Sequence, residues 1–491
     1  MTARTRTSTL ATACVLSSLL LHAISAHAEK SPWYDAGDPF QTELLMPPAI
    51  PAAYLDEVRG NECEAADLNQ ALSLMDVAGS ALCNNPQTRE AWASARQQAA
   101  LLGVARSAYL PSLNNTFSTS LNIASPQSAL RDNPYTNLSN NLVASYLLYD
   151  FGNRDANLEN ARQLLLAASA SQNSVIQKVL YEAIDTYYQV QAALASLEAA
   201  QESERASEES FKAAEARYKA GIATPADKLQ AQTAHAQDTL SRISAEGRLK
   251  TAFGTLANIM GLDANQSLKL APRATVNATE AIEQNIGSLI EQARLRRPDL
   301  IASEAQLKAA EANIVANRAA SKPTVSVGIS NNSQNGSDLS SSNTGSIGLN
   351  ISIPLFEGYA PSYRIRSAEA LAENRAAQRD RLKLQISLDV WSAYQQLITA
   401  NQSVRAAEVL LKSAEESARV ALGRYKAGVS NIIDTLNAQS ALASARQQKI
   451  QAELDWSVAR ANLAQAMGSL DNAMIQSLPD GMASASGSQS R

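Results

Sequence analysis

The sequence predicts a mainly helical protein with a minor β component, built by internal duplication. Three observations carry this. The pentapeptide Arg217-Tyr218-Lys219-Ala220-Gly221 recurs as Arg424-Tyr425-Lys426-Ala427-Gly428, 207 residues further on. Two long proline-free stretches, 152–220 and 362–427, each lead into one of these pentapeptides. Ahead of each stretch, two short segments alternate apolar and polar residues, the period of a strand.

Composition bounds the function. The chain has 491 residues, is 18% charged and only 5% aromatic, and balances 42 basic against 47 acidic residues. An acidic surface argues against a nucleic-acid partner. Of three His, His22 and His27 fall in an N-terminal segment expected to be removed, which leaves His235. A His-rich metal site or a Ser–His–Asp triad cannot be built without that one residue. No phosphate loop, nucleophile elbow or metal-ligand spacing is found. No enzyme activity, metal or cofactor is expected.

Arg4 and Arg6 precede an apolar run over 10–24, and Ala26-His27-Ala28 fits a small-residue cleavage site. Residues 1–28 read as a secretory signal peptide. A lipoprotein signal ending at Cys14 fits less well, because the apolar run continues past it. No later window reaches the ~18 apolar residues of a spanning helix. The sequence therefore predicts export without a transmembrane helix. Cys63 and Cys83 would then sit in an oxidising compartment, and a disulfide between them is expected. Two unpaired buried thiols are the alternative.

The elements follow in order. Residues 29–67 read as an N-terminal extension. The first copy spans 68–297: a helix over 86–109, strands over 112–123 and 140–150, a long helix over 152–220, a return helix over 226–260, then 261–297. The second copy spans 298–470: a helix over 298–321, strands over 323–330 and 345–354, a long helix over 362–427 and a return helix over 431–467. Residues 471–491 are expected to form a structureless tail. Leu113, Phe117 and Leu121 share one parity of their strand, as do Val325, Val327 and Ile329, and Ile347, Leu349, Ile351 and Ile353. The other parity is small and uncharged. Polar stretches at 125–137 and 331–344 read as hairpin loops. Such strands fit an apolar face to lipid and a polar face to a lumen, although a half-buried soluble sheet would alternate likewise. The second long helix carries a strict heptad, with Ile386, Ala393, Ala400, Ala407, Ala414 and Ala421 on one position and Val390, Leu397, Val404, Leu411, Ala418 and Tyr425 on the other. That predicts coiled-coil packing. Four strands cannot close a membrane barrel, and open edges are not tolerated in lipid, so an oligomer is expected.

The pattern Arg-Tyr-x-x-Gly-x5-Asp-x-Leu-x-Ala-Gln, present twice, resembles the TolC-type outer-membrane factors. The Tyr109-Leu110-Pro111-Ser112-Leu113 lead into a strand and the Tyr149-Asp150-Phe151-Gly152 exit are similar to that family too. The resemblance covers nearly all of 68–470. It implies a homotrimer whose three chains pool four strands each into a 12-stranded outer-membrane β-barrel, continued by a long periplasmic α-helical barrel. It implies a passive export duct that works with a periplasmic adaptor and an inner-membrane ABC or RND pump. The N-terminal Cys-Glu…Cys-Asn-Asn-Pro segment is most similar to the CyaE-like subgroup, exporters of RTX-type proteins by type I secretion. Small-molecule efflux and a soluble periplasmic coiled-coil scaffold are the alternatives.

The same resemblance assigns a periplasmic gate. Asp434 would be the lumen carboxylate, with Asn437 where a second acid is expected. Tyr425 and Asp227 would form a latch, with Ser430 in place of a latch Arg. Arg217, Tyr218, Gly221, Arg424, Tyr425 and Gly428 would form the adaptor-docking surface. Local chemistry offers plainer roles. Thr224-Pro225-Ala226-Asp227 and Asn431-Ile432-Ile433-Asp434 both read as helix N-caps with an acid at the third position. Gly221 and Gly428 read as left-handed helix ends. His235 reads as a solvated or packed side chain, and Trp391 and Trp456 read as packing residues rather than ligand stackers.

Overall fold

The computed structural model describes residues 38–51, 54, 68, 70–122, 135–272, 285–337 and 339–478. The expected signal peptide and Cys63 lie outside them; Cys83 is disulfide-bonded. A short 3-10 turn, Thr42–Leu45, precedes α1 (Leu74–Asn84) and α2 (Pro86–Ser107). The hairpin β1 (Ser112–Asn122) and β2 (Tyr135–Tyr149) follows, then α3 (Asn153–Lys219) and α4 (Pro225–Ile259). The plan then repeats with α5 (Ile286–Arg296), α6 (Pro298–Ala320), β3 (Thr324–Gly336), β4 (Leu339–Ser352), α7 (Ala360–Lys426) and α8 (Ile432–Ala466). A last turn of helix, α9 (Asn472–Gln476), ends the described chain.

The duplication is visible in the lengths. α3 and α7 have 67 residues each, and α4 and α8 have 35 each. At 1.5 Å per residue the long helices reach about 100 Å. Each is launched by a left-handed turn after its strand, at Phe151-Gly152 and at Gly358-Tyr359. At the first of these the Asp150 carboxylate accepts from the Arg154 amide at 2.9 Å, and the Arg154 guanidinium reaches back to the Leu147 carbonyl at 2.9 Å. Strand end and helix start are thereby locked together.

The four strands form one antiparallel sheet in the order β1-β2-β3-β4. Two expectations are corrected here. β2 begins at Tyr135 rather than 140, and most of the stretch 331–344, expected as a loop, is strand. Asn331 to Gly336 pair with Leu142 to Asn137, so their backbone groups are satisfied by the ladder. Ser and Asn on both faces leave no alternation for a sequence reading to find.

The largest apolar cluster lies at mid-length of the long helices. Ile176, Val179, Leu180, Ile184 and Tyr187 of α3 pack with Leu74 and Val77 of α1, Leu256 of α4 and Met260, and Ile475 of α9. The tail expected to be structureless is therefore corrected over 471–478, where Ile475 and Leu478 are buried; 479–491 lie outside the described residues. Sequence reading also passed over α1, which a Ser73/Asp76 capping box starts. The heptad seam of α7 is buried at ten of its twelve positions, with Leu411 and Ala421 half-buried. Its Leu397, Ala400 and Val404 meet Ala452, Trp456 and Ala459 of α8. Among the described residues, no helix is long and apolar enough to cross a membrane.

Candidate functional site

Strand register sorts the sheet into two unlike faces. Leu113 pairs with Ala144, Ala144 with Ile329, and Ile329 with Ile347, so the apolar parities of all four strands share one side. Leu113, Phe117, Leu121, Ile347, Leu349, Ile351 and Ile353 are exposed there. The apolar band climbs across the sheet, from Ile347–Ile353 on and just past β4 to Leu113–Leu121 on β1. Such a drift is what tilted strands require to keep a level band. The opposite face is mostly Ser, Thr, Asn and Gly, with hydroxyl pairs Ser118–Ser139 and Ser330–Ser346 at 2.7 Å. The four strands contain no charged residue. At the helix-proximal foot, Tyr149, Phe356, Tyr359 and Tyr363 are exposed. β1 and β4 each leave one edge unpaired among the described residues.

The far ends of the long helices form the second region. α3 and α7 end alike. Gly221 and Gly428 have φ of 74° and 78°. The Ile222 amide donates to the Arg217 carbonyl and the Val429 amide to the Arg424 carbonyl, both at 3.0 Å. These are Schellman ends. The return helices start on the expected caps. Thr224 and Asp227 form a complete capping box, with Asp227 accepting from the Thr224 amide and hydroxyl at 2.9 Å. Asn431 caps α8 by accepting from the Asp434 amide at 2.8 Å, but the Asp434 carboxylate takes the Ser430 hydroxyl at 2.7 Å instead of the cap amide. Asp434 and Asn437 are exposed on the first turns of α8.

The expected latch is not made within the chain. Asp227 is engaged by its own cap, and the Tyr425 hydroxyl is buried with no hydrogen-bond partner among the described residues. Tyr425 packs instead with Ala214, Ala231 and Ile432, between the α3–α4 and α7–α8 hairpins. Burial pushes its phenol pKa up, and the nearby Arg217 charge works the other way. Arg217 donates to the Tyr425 carbonyl at 2.7 Å and stacks over its ring at 4.8 Å. Tyr218, Gly221, Arg424 and Gly428 are exposed, as the docking expectation needs, whereas Arg217 is half-buried.

Two residues escaped the sequence reading. Ile222 and Val429, directly after the two tip glycines, are 66% and 67% exposed. An apolar side chain right after each Gly of the repeated pentapeptide was the available signal. Beside them a cavity of about 540 Å³ opens between α4 and α8, lined by Leu229, Thr233, Ile433, Leu436 and Asn437. His235 stacks on Phe211 between α3 and α4 and Trp456 packs against α7, and Trp391 is 48% exposed in the single chain.

The profile of the family described as outer membrane efflux protein matches residues 77–262 and 289–469, one block in each copy. The chain belongs to that family. It is 31% identical over 412 residues to Protein CyaE of Bordetella pertussis, covering 83% of this chain and 86% of that one. It is 22% identical to outer membrane protein TolC of Escherichia coli, over 83% of this chain and 84% of that one. Among solved structures, the CusC channel superposes with a TM-score of 0.72 at 23% identity, over 86% of this chain and 98% of that one. The CmeC outer membrane channel of Campylobacter jejuni gives 0.73 at 18%, over 81% and 86%. The efflux protein described here is thus a TolC-type channel of the outer membrane with a periplasmic helical domain. The family serves tripartite efflux systems, and its fold is that of channels rather than enzymes. Membership sets aside the soluble scaffold.

Proposed function

We propose that three copies of this chain form the outer-membrane duct of a type I secretion system. One observation carries the duct: a four-stranded sheet with one wholly uncharged apolar face and, among the described residues, two unpaired edges. Lipid does not tolerate free backbone edges, and 12 strands from three chains remove them. The helical part has the same need. Leu229, Leu240 and Ile243 of α4, and Leu384, Leu388 and Val409 of α7, stay exposed in one chain. Neighbouring copies would cover them. The polar face of the sheet would then line the lumen.

The helix tips are the end that meets the pump. Ile222, Val429, Tyr218 and Arg424 offer an apolar and cationic surface for a periplasmic adaptor, which links the duct to an inner-membrane pump. Three Asp434 carboxylates would gather at the mouth of the duct and favour cations there. Similarity to CyaE and the Cys63/Cys83 segment support protein cargo over small molecules.

Unheated gel electrophoresis of outer membranes, paired with secretion of an RTX-type protein in cells lacking their own duct, tests this. A heat-labile trimer and restored secretion are expected. A trimer that restores only drug resistance replaces protein cargo with small-molecule efflux. A monomer refutes the shared barrel.

A further inference from the structure

We propose that the helix-proximal foot of the sheet is a headgroup site for anionic phospholipid of the periplasm-facing leaflet, built by Lys322 and Arg366 on a shelf of exposed aromatic rings. This deepens the duct reading, because it concerns the lipid side of the same sheet. Strand pairing fixes that side. Val325 pairs with Ile351 on one flank and with Tyr149 on the other. Leu147, two residues before Tyr149, pairs instead with Ser326, and a register shift separates the two. Simple alternation would put Tyr149 among the Ser and Asn of the polar face. The shift turns it to the apolar face.

The cations sit on this aromatic edge. Phe151 meets Tyr149 edge-on, with 4.7 Å between ring centres, and the Lys322 ammonium lies 5.6 Å from the centre of the Phe151 ring. Lys322 thus stands beside the apolar face, two residues ahead of β3. The second copy builds a similar shelf. Phe356 meets Tyr359 edge-on at 5.5 Å, and the Arg366 guanidinium lies 5.6 Å from the centre of the Tyr363 ring. Phe356, Tyr359 and Tyr363 are all exposed. Side chains on a helix lean toward its N-terminus, so Arg366, on the second turn of α7, leans toward the sheet.

Aromatic edges of this kind settle at the headgroup level of a bilayer. The charges decide what they meet there. Among the described residues, Lys322 and Arg366 have no carboxylate partner. Other charges at this level are already paired: Arg154 with Asp150 at 3.2 Å and Arg318 with Glu369 at 2.7 Å. Asp155 accepts from the Tyr109 hydroxyl. Glu357 is left exposed against Lys322, Arg364 and Arg366, so the foot is net positive. A ring steadies a cation without cancelling its charge, which a carboxylate would do. Phosphate satisfies both cations: the guanidinium can take two of its oxygens, and the ammonium acts as a point charge. A phospholipid brings that phosphate together with acyl chains, which lie along the uncharged apolar face above. Free phosphate has nothing to place there.

Titration of the purified protein in mild detergent with phosphatidylglycerol or phosphatidylcholine, read as bound lipid by native mass spectrometry, tests the site. The parent should prefer phosphatidylglycerol, and high salt should erase the preference. Lys322→Gln and Arg366→Gln should each weaken phosphatidylglycerol binding roughly fivefold, the share of one cation at an anionic surface. Phosphatidylcholine binding should not change. Lys322→Arg keeps the charge and should keep the preference, which separates the site from a folding defect. Lys412→Gln removes a charge from the far half of α7 and should match the parent. Equal binding of both lipids by the parent overturns the proposal. So does a preference that survives both substitutions, or one that Lys412→Gln weakens as much. Loss of the preference to inorganic phosphate at matched ionic strength would make this a free-anion site and overturn the lipid. The titration needs neither a trimer nor a conducting channel, so it decides the site even if the duct reading fails.

Discussion

Gly468 lies against the backbone of Arg297, and this contact joins two helices end to end. A Cβ on Gly468, whose φ is 70°, would sit 3.0 Å from the Arg297 Cα. The first copy does the same with Gly261, whose Cβ would fall 2.6 Å from the Asn84 carbonyl oxygen. Thus α8 runs on into α6 and α4 into α2, with Asn85 Nδ2 donating to the Ile259 carbonyl at 3.1 Å. Gly468→Ala and Gly261→Ala should each cost about 1–3 kcal/mol, since both the dihedral and the contact are lost. Gly79→Ala, in α1 with no atom near its missing Cβ, should not destabilise. Thermal unfolding of the purified variants orders them.

The sheet faces make a paired prediction. Leu349 and Asn350 are neighbours on β4 and point to opposite sides. Leu349→Lys should cost about 2–4 kcal/mol if its side meets the middle of the bilayer. Asn350→Lys should assemble normally. Heat-modifiable mobility of outer-membrane preparations reads the difference. Equal tolerance of both would argue against the lipid assignment.

Gln172 is a second structural anchor. Its buried amide donates to the Pro48 and Ala49 carbonyls at 2.9 and 3.0 Å. Gln172→Ala should leave those carbonyls unsatisfied, at a cost of about 1–3 kcal/mol. Limited proteolysis should then cut faster within 38–51 than in the parent.

The mouth charge can be tested alone. Asp434→Asn keeps the Asn431 cap, which uses the backbone amide. It should weaken block of single-channel current by multivalent cations roughly tenfold, about 1.4 kcal/mol. Unchanged block would remove Asp434 from the mouth.

Asp185 supplies a pH signature. Burial holds its carboxyl above the usual carboxylate range, and Glu182 adds to this, while the Gln189 hydrogen bond opposes it. The folded state therefore holds that proton more tightly than the unfolded state does. Its stabilising contribution is complete below the ordinary carboxylate value and is lost as pH rises through the raised one. Asp185→Asn should flatten that part of the stability profile, measured by denaturant unfolding between about pH 4 and 7.

Much of this was legible in the chain. The Ala-rich heptad of α7 is its buried stripe, because a seven-residue period keeps one face toward its neighbours: Leu397, Ala400 and Val404 meet α8, and Ile386, Val390 and Ala393 meet Leu289 of α5 and Leu300 of α6. Thr224 and Asn431 cap their helices because the groups involved are three residues apart. The strands' faces follow from parity, whereas the lengths of β3 and β4 do not. Asn331 to Gly336 carry no alternation, and their partners on β2 and β4 make them strand.

The sequence by itself determined the duplication, the helix ends and the side of the sheet on which each apolar residue falls. These are local properties, set within a few residues along the chain. It could not choose between Arg217 and Arg424, which sit in identical pentapeptides with identical Schellman ends. That choice belongs to tertiary structure. Arg217 meets the C-terminal turn of α7 across the α3/α8 seam, and Tyr425 is buried there among Ala214, Ala231 and Ile432. Which side chain is buried depends on the neighbouring hairpin, and that neighbour lies some two hundred residues away in sequence.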